Sequence, residues 1–156
     1  MAKLLGNQLP GEVLDAFDGR DLEQKIGRAY LLVTVDDDGT PRPCMLSAGE
    51  VLVPDDRHIR VMLWPGTTTS KNLARGERAL FCYIAPGTVI YAKGPARSLG
   101  PGPGSKLERF ELEVDTVESD IHQGMPVKET VVFEVATMDP SKVASEWARQ
   151  LEILAS

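Results

Sequence analysis

Trp64-Pro65-Gly66-Thr67-Thr68-Thr69-Ser70-Lys71-Asn72-Leu73 is the stretch on which the reading of this chain turns. It stands between two strand-like runs, residues 59–64 and 78–84. Four consecutive hydroxyls lead into a lysine, and a short helical pattern over residues 71–75 closes on Gly76. Thr69 or Ser70 is a natural N-cap, and Gly76 is a natural C-terminal stop. A helix start leaves free N–H groups and a partial positive charge, so with hydroxyl and ammonium donors around it this turn suits a phosphate. It suits equally a capped surface helix whose lysine lies in water. The nucleotide-binding P-loop is excluded, because Ser70 precedes the lysine where that motif needs glycine, and Asn72 follows where it needs Ser or Thr. A monophosphate on a larger cofactor fits better.

Working outward, residues 12–26 place Val13, Leu14, Phe17, Leu22 and Ile26 at the spacing of one or two short helices broken near Gly19. Residues 29–35 form an apolar run rich in β-formers, and Asp36-Asp37-Asp38-Gly39 then predicts a hairpin into residues 40–47. Three adjacent carboxylates lack the alternate spacing and distant glutamate of a calcium loop, so they read as a turn and not a metal site. Pro41 and Pro43 keep the start of the second strand away from the middle of a sheet. Further strands are expected over residues 59–64 and 79–85, and over 88–92 with a bend at Lys93-Gly94-Pro95 before 96–99. Gly100-Pro101-Gly102-Pro103-Gly104 reads as an exposed loop. Residues 107–118 fit either period, but strict alternation of Phe110, Leu112 and Val114 with acidic residues favours a strand. Residues 130–137 give one more strand candidate. Asp139-Pro140-Ser141 then opens a helix with a stripe of Val143, Trp147, Gln150, Leu151 and Leu154.

Six or seven short strands joined by tight turns predict a mainly β fold with peripheral α: a closed or nearly closed antiparallel barrel, with short helices and a C-terminal helix. At 156 residues one domain, spanning residues 1–156, is the expectation. No apolar run reaches the ~20 residues of a membrane span, and the first residues are too short and broken for a secretory signal. A net charge of −6 without a basic cluster argues against nucleic acid as a partner. Cys44 and Cys82 are isolated, so neither a disulfide framework nor a zinc site is expected. These features together predict a cytoplasmic protein.

Three segments in this order resemble the FMN-binding split β-barrel proteins related to pyridoxamine 5′-phosphate oxidase. They are Leu32-Val33-Thr34-Val35-Asp36-Asp37-Asp38-Gly39-Thr40-Pro41, Thr69-Ser70-Lys71-Asn72-Leu73 before Ala79-Leu80-Phe81, and Val89-Ile90-Tyr91-Ala92-Lys93-Gly94-Pro95-Ala96-Arg97. The resemblance implies a homodimer with FMN in a groove between the subunits. It implies that Lys71 binds the phosphate with Thr69, Ser70 and Asn72 beside it. Met45, Leu46 and Ser47 would lie against the flavin, and Trp64 to Thr67 would border the ring. Trp64 reads equally as a core or dimer-interface aromatic. Arg42 and Arg97 flank the implied groove and read as secondary anion contacts or as rim charges. The oxidase carries arginines where Cys44 and Ser70 stand, and its C-terminal Arg/His motif has no counterpart in Ser145-Glu146-Trp147-Ala148-Arg149-Gln150. The resemblance therefore implies a flavoprotein other than that oxidase, an oxidoreductase using FMN on a small substrate or reductant. The alternative is a non-catalytic carrier of a flavin, deazaflavin or haem. Catalytic residues are not legible; His58 and His122 lack partners at telling spacing, and a flavin performs the electron transfer itself.

Overall fold

A computed structural model describes residues 2–135 and 137–156. Its nine strands are β1 (Lys3–Gly6), β2 (Tyr30–Val35), β3 (Pro41–Leu46), β4 (Val51–Asp55), β5 (His58–Leu63), β6 (Arg78–Ala85), β7 (Thr88–Pro101), β8 (Glu108–Glu113) and β9 (Thr116–Ser119). Three α-helices accompany them: α1 (Gly11–Ala16), α2 (Thr68–Ala74) and α3 (Pro140–Ala155). A 3₁₀ turn, Leu22–Lys25, follows α1. All strand pairings are antiparallel, in the order β3-β2-β6-β7-β8-β5-β4, with β9 pairing β1 and β7.

The long strand β7 joins the two halves of the barrel. Its first part, Thr88 to Pro95, pairs with β6, and its second part, Ala96 to Pro101, pairs with β8. The partner changes after Pro95, next to Gly94, where a Cβ would stand 1.8 Å from the Glu113 carbonyl oxygen. Only glycine lets the two backbones approach this closely. The bend expected at Lys93-Gly94-Pro95 is thus real as a change of partner, while the strand itself continues. Side chains alternate in and out of the barrel, as along β2, so Leu32, Phe81, Phe110 and Leu112 meet in one core. Phe17, just after α1, closes one end, with its ring edge-on to Tyr30 at 4.6 Å and to Phe81 at 5.4 Å.

Several expectations are corrected. β1 and β4 were not foreseen as strands, because four exposed residues and a run ending in Pro54-Asp55 carry little pattern. The segment around residues 107–118 is strand as favoured, but divided into β8 and β9. Residues 130–137 are not a strand in their described part, and Ala136 lies outside the described residues. The segment runs beside Gly27–Ala29 with one bridge, Arg28 to Val132, since β3 and β6 already occupy both edges of β2. Gly100-Pro101 belongs to β7, and Gly102 is buried under α3, where a Cβ would meet Ile153 Cγ2 at 2.5 Å. The run is therefore not simply an exposed loop.

Candidate functional site

The β5–α2 connection begins at Trp64, whose indole is 64% exposed. Thr67 caps α2, accepting from Ser70 N at 3.1 Å, so the cap lies ahead of both residues expected for it. Its hydroxyl donates to the Trp64 carbonyl at 3.2 Å, and the Ser70 hydroxyl donates to the Thr67 carbonyl at 2.9 Å. Two of the four hydroxyls are therefore spent within the turn. Thr69 is buried and bonds towards the Cys44 thiol, whose pKa burial pushes up despite that contact. Thr68 is exposed.

Lys71 projects from α2 into a cleft shared with Asp36–Asp38, Asn72 and Arg75. Its ammonium makes no hydrogen bond or ion pair among the described residues, whereas the other charges of the cleft are engaged. Asp36 accepts from Arg42 Nε at 2.8 Å and from Asn72 Nδ2 at 2.8 Å, which together hold its carboxyl below the usual range. Asp37 pairs with Arg75 at 2.8 Å, and Asp38 accepts from the Thr40 amide at 2.9 Å. Arg42, expected as an anion contact, is thus committed to Asp36. Arg97 is committed to Glu111 on another part of the barrel, with Nε at 3.1 Å from the carboxylate. Asn72, nearly buried, also donates to Thr34 Oγ1 at 3.0 Å and fixes α2 against β2.

The remaining expected residues gather elsewhere. Among the described residues β3 is an edge strand paired only with β2, in keeping with its two prolines. Met45 is 63% exposed, Leu46 belongs to the core, and Ser47 is half-buried. All three border a cleft of about 320 Å³ together with Glu50 and the Val131–Phe133 segment. A second cleft of about 330 Å³ continues from it through Ser47, Glu50 and Phe133 to Trp64 and, beneath α3, Trp147. The structure thus brings Met45, Leu46, Ser47 and Trp64 to a continuous apolar surface. Lys71 and Asn72 stand in a separate polar cleft, with Thr67 and Ser70 in the turn between Trp64 and Lys71. Sequence reasoning missed Glu50, Phe133 and Glu146 at these walls; the α3 stripe pointed to Trp147 only as a packing residue. His58 is bonded to Asp55 in its own turn, and His122 accepts from the Gly124 amide; neither lines either apolar cleft.

The chain is 31% identical over 150 residues to the uncharacterized protein YclD of Bacillus subtilis, covering 95% of this chain and 96% of that protein. The chain belongs to the YclD family. No family model matches this YclD-family chain. A crystal structure from Lactobacillus delbrueckii, named as a candidate pyridoxamine 5′-phosphate oxidase, superposes with a TM-score of 0.59 at 19% identity, over 75% of this chain and 98% of that one. HupZ of Group A Streptococcus superposes with a TM-score of 0.55 at 11% identity, over 81% and 99% of the two chains. At such identities the likeness concerns the fold. The YclD-family chain shares the split β-barrel fold of these structures. No helix among the described residues is long and apolar enough to cross a membrane.

Proposed function

We propose that this protein binds FMN and acts as an oxidoreductase on a small substrate, with the cofactor held at the interface of a homodimer. One observation carries the reading. An ammonium free of any described partner, Lys71, and a largely exposed indole, Trp64, stand on either side of the Thr67 cap, the indole bordering the apolar surface begun by Met45 and the ammonium facing the polar cleft beyond the turn. The donor set fits the group. Lys71 offers a charge-assisted contact to a phosphate, and Trp64, Met45 and the neighbouring strand end offer apolar contact to a flat ring. Arg42 and Arg75 offset two of the three carboxylates of the Asp36–Asp38 turn and Lys71 offsets the third in formal charge, so the phosphate would meet a cleft of net zero charge in which Lys71 is the cation without a described partner. Exposed Met45, Trp64, Val132 and Phe133 need a cover, which a second copy of the chain would supply.

Bound there, the flavin supplies electron or hydride transfer, and the chain's own residues bind, orient and exclude water. A haem carrier of this fold is the weaker reading, since neither histidine reaches the apolar clefts to serve as an axial ligand. The test is the absorption spectrum of purified protein with and without added FMN, followed by NADH or NADPH under nitrogen. A protein-bound flavin spectrum that bleaches with the nicotinamide supports the enzyme. A bound flavin that bleaches with neither points to a carrier, and no bound flavin overturns the proposal.

A further inference from the structure

The cleft beneath α3 has a charge pattern that flavin binding leaves unused. Its walls carry the indoles of Trp64 and Trp147 and the ring of Phe133, and its polar groups are Ser47, Glu50, Glu146 and Gln150. No lysine, arginine or histidine is among its described lining residues. Glu50 is aimed by its own turn: Oε2 accepts from Ser47 N at 2.7 Å and from Ser47 Oγ at 2.9 Å, leaving Oε1 free of described partners. Gln150 donates Nε2 to the Gly49 carbonyl at 3.3 Å, so its own carbonyl oxygen is left as an acceptor. Glu146, on the exposed side of α3, makes no hydrogen bond or ion pair among the described residues.

Aromatic faces and acceptors thus meet in one cleft with no cation in its described lining, while Lys106 and Arg149 line the neighbouring cleft that shares Trp64, Glu146 and Gln150. An anionic ligand would face two carboxylates with nothing to pair it. A neutral apolar ligand would use the rings and leave both carboxylates idle. An ammonium on an apolar body uses both features, because ring faces attract a cation and carboxylates pair with it. The volume of about 330 Å³ lies at the small end of ligand pockets, suited to a compact molecule. We infer that this cleft binds a small organic cation, an amine or quaternary ammonium carried on an aromatic or aliphatic body. Its place beside the flavin rests on the function proposed above, through the shared Ser47 and Trp64; the binding itself does not.

Both tryptophans of the chain line the cleft, so intrinsic fluorescence reports on it directly. Benzyltrimethylammonium, benzyl alcohol and benzoate are titrated into the full chain, with and without FMN. Glu146→Gln and Glu50→Gln serve as variants; the glutamine at position 50 still accepts from Ser47. Saturable quenching by the cation is expected in both preparations, with benzoate at least tenfold weaker and each variant weakening the cation about five- to tenfold. Benzoate or benzyl alcohol binding as tightly as the cation, or unchanged cation affinity in both variants, overturns the inference. Cation binding that behaves as expected in a chain that takes up no FMN upholds this site and removes the flavin reading alone.

Discussion

In the proposed function the phosphate contact falls to Lys71, and its surroundings set the size of the expected effect. A charge-assisted hydrogen bond contributes about 1.5–3 kcal/mol, and the nearby Asp36–Asp38 turn argues for the lower half of that range. Lys71→Ala should therefore weaken FMN about tenfold in a fluorescence titration, with the urea midpoint unchanged because the side chain is exposed. Unaltered FMN affinity would remove Lys71 from the site. Away from the clefts, Glu111 is buried at 3% exposure between Arg60, with Nε at 2.8 Å, and Arg97. Burial pushes its carboxyl up, but the two guanidinium bonds outweigh this and hold it below the usual range. A depressed carboxyl stabilises the fold above its ordinary pKa of about 4.3, and that contribution fades as pH falls through the lower folded value. Glu111→Gln should cost about 2 kcal/mol in urea unfolding at pH 7, with a smaller difference from the parent protein at about pH 3. An equal difference at both values would show that the carboxylate charge is not what stabilises. At this scale the sequence was partly legible. The lysine in a hydroxyl-rich turn stood out, but the side-chain bonds of Thr67 and Ser70 to the same turn depend on rotamers that spacing does not encode.

At the scale of elements, turn chemistry and strand period announced most of the barrel. Asp-Gly between β2 and β3 and the Asp139 cap of α3 are local signals that the folded chain keeps. What failed was partner availability, which is not local. The Val131-Val132-Phe133 run has strand composition, yet the two neighbours of β2 are already in place, and it keeps a single bridge. β1 is the reverse case: a strand with little pattern, created by the free edge of β9. The junction of the two barrel halves gives the sharpest test at this scale. At Gly94 an added methyl would stand 1.8 Å from a β8 carbonyl oxygen, a backbone atom that cannot rotate away. Gly94→Ala should cost about 2–4 kcal/mol, within the range of overpacking mutations, and lower the thermal midpoint by several degrees. An unchanged midpoint would mean that the two strands separate freely there.

For the whole molecule, the exposed side chains of Met45, Trp64, Val132 and Phe133 make an apolar face that an isolated chain leaves to water. Sedimentation at micromolar concentration should give a dimer, and Val132→Asp should shift it towards monomer at least tenfold in Kd, because it places a charge on an apolar interface. A monomeric parent protein with FMN bound would contradict the shared groove. Pyridoxamine 5′-phosphate should not be turned over, since Cys44 and Ser70 stand at positions where the oxidase has arginines and the cleft beneath α3 carries Glu50 and Glu146. Pyridoxal phosphate formation near 1 s⁻¹, about the low end of ordinary enzymes, would refute that. Most direct for the central claim is equilibrium titration of the purified chain with FMN, followed by the flavin's own fluorescence. The account predicts saturation at one FMN per chain with a Kd of about 1 µM or tighter, corresponding to about −8 kcal/mol. Free flavin fluorescence rising linearly through about 100 µM protein sites, with no saturable phase, would contradict it.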